Sequence, residues 1–197
     1  VKRVAATDPV APVMFWQTIR AGGLVAYPTD TLYGLGADAE NHIAAGYLAE
    51  VKGREGPFSV MVGHLEQLKE YGLVSTEIAD KLAGMLPGPY TILLPPRCPE
   101  KLSSPIMGLK GKVGFRVPRY PFIQAAFQQA RGLVITTSVN LAGQSPLQDP
   151  EAIQDQFKEQ IDLLVDGGVL PPSRGSTVVD PTTLPWQVIR QGDGKLQ

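Results

Sequence analysis

Short apolar runs alternating with helix-length stretches govern what this chain can fold into. Leu24 to Tyr27, Phe58 to Val62, Tyr90 to Leu94, Lys112 to Val117 and Leu133 to Thr137 are too short for independent helices, and Gly, Pro or Ser bounds each of them. They read as buried strands. Leu163 to Val165, Thr177 to Val179 and Gln187 to Arg190 are later, shorter candidates. Helices are predicted from Asp8, an N-cap with Pro9 at the first helical position, to about Arg20, and from Asn41 to Val51. Further helices are expected over Leu65 to Tyr71, from an N-cap at Ser75 to Met85, and from Pro121 to Ala130. Strands and helices in rough alternation predict an α/β domain. No internal repeat, heptad run or low-complexity tail interrupts it.

Two segments read as loops. PTDTLYGLG follows the strand that Pro28 ends, in the position where loops of α/β sheets bind ligands. Pro95 to Gly111 carries Pro, Ser and Gly and reads as a long loop of the kind that often serves as a lid.

At 197 residues with 43% hydrophobic content, the chain has enough apolar surface for one compact domain over residues 1–197. Its apolar stretches are broken too often to span a bilayer, and no basic segment followed by an apolar run opens it. A lone cysteine, Cys98, forms no internal disulfide, and two histidines give no zinc spacing, so no metal site is expected and a reducing cytoplasm is. The net charge of −1 gives no support for nucleic-acid binding by the whole chain. Locally, Arg97, Lys101, Lys110, Lys112, Arg116 and Arg119 stand against Glu100 alone, which is either a solvated surface or an anion-facing patch. Six acids between Asp149 and Asp166 face only Lys158 and read as solvated surface.

The chemistry-bearing residues are ambiguous one at a time. YGLGAD contains G-x-G without a third glycine, and no G-x-x-x-x-G-K-[ST] exists, so neither a dinucleotide fingerprint nor a P-loop is present. Lys52 and Arg54 lie at the end of a predicted helix, where cations are favourable without any function. They equally suit a polyphosphate, one as a point charge and the other as a bidentate fork. Arg116 interrupts an apolar strand, and a buried guanidinium needs an anion, either an internal carboxylate or a substrate's. Ser138 and Asn140 follow the strand LVITT, where they can serve phosphate or sugar oxygens or simply form a turn. Ser176, Thr177 and Asp180 can be strand and turn residues, and Arg190 can be an exposed charge.

Their order along the chain is more informative. PTDTLYGLGADA, VKGR, LPGPYTILL, VGFRVP, Ser138-Val139-Asn140 with its LAG continuation, GSTVVDPT and VIRQGDG occur in the order and at the spacings of the YrdC-like threonylcarbamoyl-AMP synthase family, which this chain closely resembles from about Pro9 to Gly194. The resemblance implies an open, twisted, mixed α/β sheet with flanking helices around a large concave site, in the short single-domain form. It implies formation of L-threonylcarbamoyladenylate and pyrophosphate from L-threonine, bicarbonate and ATP with Mg2+, a nucleotidyltransferase reaction that serves tRNA modification. By the same resemblance Lys52 and Arg54 match the KxR positions at the phosphates and carbamate, and Ser138 and Asn140 match the SxN positions at the adenylate. Thr31, Arg116 and Thr136 fall in the threonine pocket, with Arg116 on the carboxylate, and Ser176 and Arg190 at further nucleotide contacts. Partners would be tRNA threonylcarbamoyl-transfer proteins, with tRNA or double-stranded RNA as a further one. Here only Glu55 and Gly56 separate Arg54 from Pro57, fewer residues than in many relatives.

Two other functions fit parts of this pattern. A double-stranded RNA or tRNA-binding module without synthase activity would use the basic segment, and a carbamoyl-transfer domain of the hydrogenase-maturation kind usually sits in a much longer chain. On the synthase reading, Lys52→Ala should depress turnover more than stability, and Arg116→Ala should raise the threonine KM while leaving ATP binding intact.

Overall fold

The computed structural model describes residues 1–108 and 111–196. Among these, β1 (Lys2–Ala5), β2 (Val25–Tyr27), β3 (Gly34–Asp38), β4 (Ser59–Met61), β5 (Tyr90–Leu94), β6 (Val113–Arg116), β7 (Val134–Ser138), β8 (Leu163–Asp166), β9 (Thr177–Asp180) and β10 (Gln187–Arg190) form one sheet. Its order is β1-β8-β2-β3-β7-β4-β6-β5-β9-β10. Parallel pairs such as β4 with β6 and β5 with β9 mix with antiparallel pairs such as β3 with β7 and β5 with β6. Around it lie α1 (Ala11–Arg20), α2 (His42–Lys52), α3 (Leu65–Tyr71), α4 (Thr76–Ala83), α5 (Pro121–Gln129) and α6 (Pro150–Phe157). The expected open mixed sheet with flanking helices is therefore what forms. No helix among the described residues is long and apolar enough to cross a membrane.

Side chains alternate across a strand, so register decides which residues share a face. One face packs Leu35, Val60, Ile92, Phe115 and Ile135 against Leu48 of α2, Leu68 of α3, Leu82 of α4 and Phe157 of α6. The other face carries Val25, Tyr27, Met61 and Val134, and α1 and α5 cover it with Phe15, Trp16, Ile19, Phe122, Ile123 and Phe127. The aromatic rings there meet edge to face, and Trp16 Nε1 donates to the Ala126 carbonyl at 2.6 Å. Each such fully buried apolar side chain stabilises the fold by about 1.5–3 kcal/mol. Beyond β4 this second face runs on through Gly114, Thr91 and Leu93, and Val178, which border a cavity instead of a helix. The site is the half of one sheet face that α1 and α5 leave open.

Several expectations need correction. PTDTLYGLG is only partly loop, because Gly34 to Asp38 turn back antiparallel on β2 as β3. Asp8 does not cap α1: its carboxylate accepts from Val10 N at 2.9 Å, one turn early, and the helix begins at Ala11. The acidic segment contains a helix, α6, capped by Asp149 and buried through Ile153 and Phe157. Residues 95–108 of the expected 95–111 loop are substantially packed down. They contain two single turns of 3-10 helix at Pro99–Lys101 and Ser104–Ile106, with Leu102, Ser103 and Ile106 buried and Ser103 N bonded to the Ala39 carbonyl at 3.0 Å. Lys110 of the basic segment lies outside the described residues.

Candidate active site

The open half of the sheet face forms the floor of a cavity of about 490 Å³. Among the described residues Arg54, Lys112, Arg116, Arg174 and Arg190 line it, and no acidic residue or histidine does. Carboxylates flank three of these cations, Asp180 at Lys112, Asp30 at Arg116 and Asp193 at Arg174, while Arg54 and Arg190 make no ion pair among the described residues, so the lining favours anions.

Arg116 sits deepest, at 9% exposure. Its Nη2 donates to Thr31 Oγ1 at 3.1 Å and lies 3.4 Å from Asp30 Oδ1, longer than a tight charge-assisted bond. Its Nε is buried with no partner among the described residues. Burial pulls the guanidinium's pKa down and Asp30 opposes it, while an arginine remains charged. The internal carboxylate of the sequence reading is present as Asp30.

Thr31 and Thr136 stand beside it, both about 3% exposed and both lining the cavity. Thr31 closes a small turn with Thr29, whose hydroxyl donates to the Leu32 carbonyl at 2.7 Å. Thr136 accepts from the Tyr27 hydroxyl at 2.9 Å.

Lys52 and Arg54 behave differently. Gly53, at φ +67°, ends α2 and separates them. Lys52 is 2% exposed, and its ammonium turns onto the Ser138–Asn140 turn, donating to the Ser138 carbonyl at 2.7 Å, to Asn140 Oδ1 at 2.8 Å and to the Asn140 carbonyl. Burial, with help from Arg54, brings its pKa down to about 8, while the three oxygens favour the charged form. Arg54 faces the cavity, with its guanidinium 4.5 Å from the Phe58 ring centre and donating to the Pro57 carbonyl at 3.2 Å. The short segment after it is pinned by Phe58 N on the Pro105 carbonyl at 2.9 Å.

Of the SxN pair, Ser138 lines the cavity, and its hydroxyl donates to Asn140 Oδ1. The Asn140 amide is used within the turn, on the carbonyls of Leu141 and Gln144. Ser176 is buried against Thr91, oxygen to oxygen 2.7 Å, and the exposed Arg190 donates to the Ser176 carbonyl at 2.9 Å. The structure thus brings Thr31, Arg54, Arg116, Thr136, Ser138, Ser176 and Arg190 to one hollow, and sets Lys52 and Asn140 in the turn behind Ser138.

Sequence reasoning assigned no site role to Lys112 or Arg174. Lys112 precedes Arg116 by four residues and so shares its face of the strand, a spacing that was visible in the basic segment. It is held by Asp180 Oδ2 at 2.5 Å and Thr182 Oγ1 at 2.6 Å. Arg174 lies in an irregular stretch before β9, 3.9 Å from Asp193, and nothing in the sequence singled it out. The basic segment does not make one outer stripe, since Lys112 and Arg116 turn into the cavity and Arg119 binds the Pro87 carbonyl. Among the described residues no cluster of His, Cys, Asp or Glu could hold a metal ion. A larger hollow, about 620 Å³, is walled chiefly by Met85, Tyr90, Leu184, Pro185, Trp186 and Leu196 and contains none of the candidate site residues.

Comparison with known proteins identifies the family. The Sua5/YciO/YrdC family model, described as "Telomere recombination", matches residues 17–192. The threonylcarbamoyl-AMP synthase of Vibrio vulnificus is 30% identical over 181 residues, covering 89% of this chain and 95% of that protein. Escherichia coli YciO, an uncharacterized protein, is 30% identical over 187 residues, covering 92% of this chain and 88% of that one. The crystal structure of P. abyssi Sua5 complexed with L-threonine superposes with a TM-score of 0.85 at 29% identity. That alignment covers 97% of this chain, which spans 56% of the archaeal protein.

Proposed function

This chain belongs to the Sua5/YciO/YrdC family, and we propose that it is a threonylcarbamoyl-AMP synthase, a nucleotidyltransferase that forms L-threonylcarbamoyladenylate and pyrophosphate from L-threonine, bicarbonate and ATP for tRNA modification. The observation that carries this reading is the acid-free cavity with Arg116 at its base, a buried guanidinium with an unpartnered Nε beside Thr31 and Thr136. An amino acid's carboxylate supplies the missing acceptor. The Vibrio relative bears the synthase name, and the archaeal structure holds L-threonine.

The reaction needs little from side chains beyond placement. The neutral amine of threonine takes up CO2 derived from bicarbonate, losing a proton to give a carbamate. A carbamate oxygen then attacks the α-phosphorus of ATP, and the bond to the bridging oxygen breaks to release pyrophosphate. Among the described residues no carboxylate or imidazole lines the cavity to act as a base. Catalysis on this reading comes from holding the two reactants in contact and offsetting charge as it moves to pyrophosphate. Arg116 with Thr31 and Thr136 holds threonine, while Arg54, Ser138, Ser176 and Arg190 face the nucleotide. Lys52, with Asn140, fixes the turn that presents Ser138 and places a positive charge behind it. Mg2+ enters with the ATP phosphates as part of the substrate and adds charge neutralisation there. The product passes to tRNA threonylcarbamoyl-transfer proteins.

Pyrophosphate release from MgATP and bicarbonate, with and without L-threonine and with serine and allothreonine as comparators, tests the proposal. Release that depends on threonine is expected. A folded protein that releases none sinks it.

A further inference from the structure

Tyr27 is fully buried, yet its hydroxyl reaches the wall of the cavity. Its ring lies across two glycines of β3. A Cβ on Gly34 would come within 2.8 Å of Tyr27 Cε2, and one on Gly36 within 2.8 Å of Cε1. The Phe15 ring meets Tyr27 edge to face, 5.5 Å between centres. The G-x-G of YGLG therefore clears a slot for an aromatic ring.

The direction of the hydrogen bonds at the end of that ring can be deduced. Among the described residues the Tyr27 hydroxyl has one partner, Thr136 Oγ1, and so gives its proton there. Burial pushes the phenol's pKa up to about 12, with Thr136 and Arg116 pulling the other way, so it stays a donor throughout the working pH range. Thr136, having accepted, keeps its own proton with no acceptor among the described residues, and it lines the cavity. Thr31 is in the opposite state. Thr29 spends its proton on the Leu32 carbonyl, so in the 3.2 Å contact between the two threonines the donor is Thr31. Thr31 Oγ1 also accepts from Arg116. One threonine faces the cavity as a donor and the other only as an acceptor.

We propose that Tyr27, seated over Gly34 and Gly36, is a positioning residue that sets Thr136 as a hydrogen-bond donor to an oxygen of the amino acid held by Arg116. This rests on the synthase reading of the same cavity. Tyr27 touches no substrate and acts entirely through Thr136.

Calorimetric titration of L-threonine, and separately of a non-hydrolysable ATP analogue, into the wild type, Tyr27→Phe, Thr136→Val, Thr136→Ser and the Tyr27→Phe/Thr136→Val double variant tests this, with thermal melting to verify folding. Loss of one oriented hydrogen bond should weaken threonine binding about threefold to tenfold in Tyr27→Phe and leave the nucleotide unaffected. Thr136→Ser, which keeps the hydroxyl, should bind as the wild type does. The double variant should bind threonine no worse than Thr136→Val alone, since Tyr27 has nothing left to orient. Unchanged threonine affinity in Tyr27→Phe, or additive losses in the double variant, overturns the proposal while the synthase reading stands. A wild-type protein that binds no threonine overturns both.

Discussion

The ammonium of Lys52 lies 2.8 Å from the side-chain carbonyl of Asn140 and also holds the backbone carbonyls of Ser138 and Asn140. One buried cation from the end of α2 thus ties down the turn that follows β7. This changes what its removal should do. Lys52→Ala was expected to act on turnover more than on stability, but it would take a charged donor from three oxygens, of which Asn140 Oδ1 alone keeps the Ser138 hydroxyl as a side-chain donor. A loss of about 2–4 kcal/mol is expected alongside the fall in turnover. Urea unfolding of the wild type and variant, run beside kinetics, reads both. An unchanged midpoint would mean that Lys52 does not support the turn in solution.

The same lysine gives a pH dependence whose sign follows from linkage. Burial, then the charge of Arg54, lowers its pKa from 10.5 to about 8 in the fold. Between these values the unfolded chain carries a proton that the folded one has released, so raising the pH through that window favours the folded state. The stability of the wild type relative to Lys52→Met should therefore rise from pH 8 to 10.5 and be flat below. Turnover should fall over the same window as the charge behind Ser138 is lost. A stability difference that is flat above pH 8 would contradict the lowered value.

Arg116→Ala should raise the threonine KM at least tenfold with ATP binding intact, because the buried guanidinium bonds Thr31 and leaves its Nε for the amino acid's carboxylate. Arg116→Lys keeps the charge but not the fork and should fall between the two. Equal loss for both substrates would remove Arg116 from the amino-acid pocket.

What the sequence made legible divides along physical lines. β5 and β6 and the helices α2 and α3 were readable because apolar runs between Gly and Pro, or an Asn cap on a periodic stretch, are local signals. β3 was hidden because Gly34 and Gly36 read as turn residues, and their reason for being glycine is a ring from another strand. α6 was masked by its acids, although Ile153 and Phe157 are spaced one turn apart. β1 buries only Val4 and is a strand through its pairing with β8. In the site, Arg116 stood out as a cation in an apolar run. Which way the Lys52 ammonium turns is set by the neighbouring turn, and no local pattern encodes it.

Gly36→Ala and Gly46→Ala should have opposite signs. A Cβ at Gly36 meets Tyr27 at 2.8 Å, Val134 at 2.9 Å and the Ile135 carbonyl at 3.0 Å, so overpacking should cost about 1–3 kcal/mol. Gly46 is exposed in the middle of α2 with nothing within 4 Å of the added atom, and alanine there should stabilise by about 0.5–1 kcal/mol. Melting temperatures decide it, and a neutral Gly36→Ala would remove the steric basis for the ring slot.

Asp180 governs how much of Lys112 the cavity receives. Burial pushes the Asp180 carboxyl's pKa up, but the Lys112 ammonium, the Thr182 hydroxyl and the Thr182 amide together outweigh that and hold it below the ordinary value. A carboxyl held low contributes stability at pH values above its unfolded pKa and loses it as the pH falls through the folded one. The melting temperature of the wild type should therefore drop more steeply below about pH 4 than that of Asp180→Asn, whose amide does not titrate. At neutral pH the same variant frees Lys112 from its counter-charge, and product pyrophosphate should inhibit severalfold more tightly. Parallel acid-melting curves, or unchanged pyrophosphate inhibition, would show that this pair neither stores acid-sensitive stability nor screens the cavity.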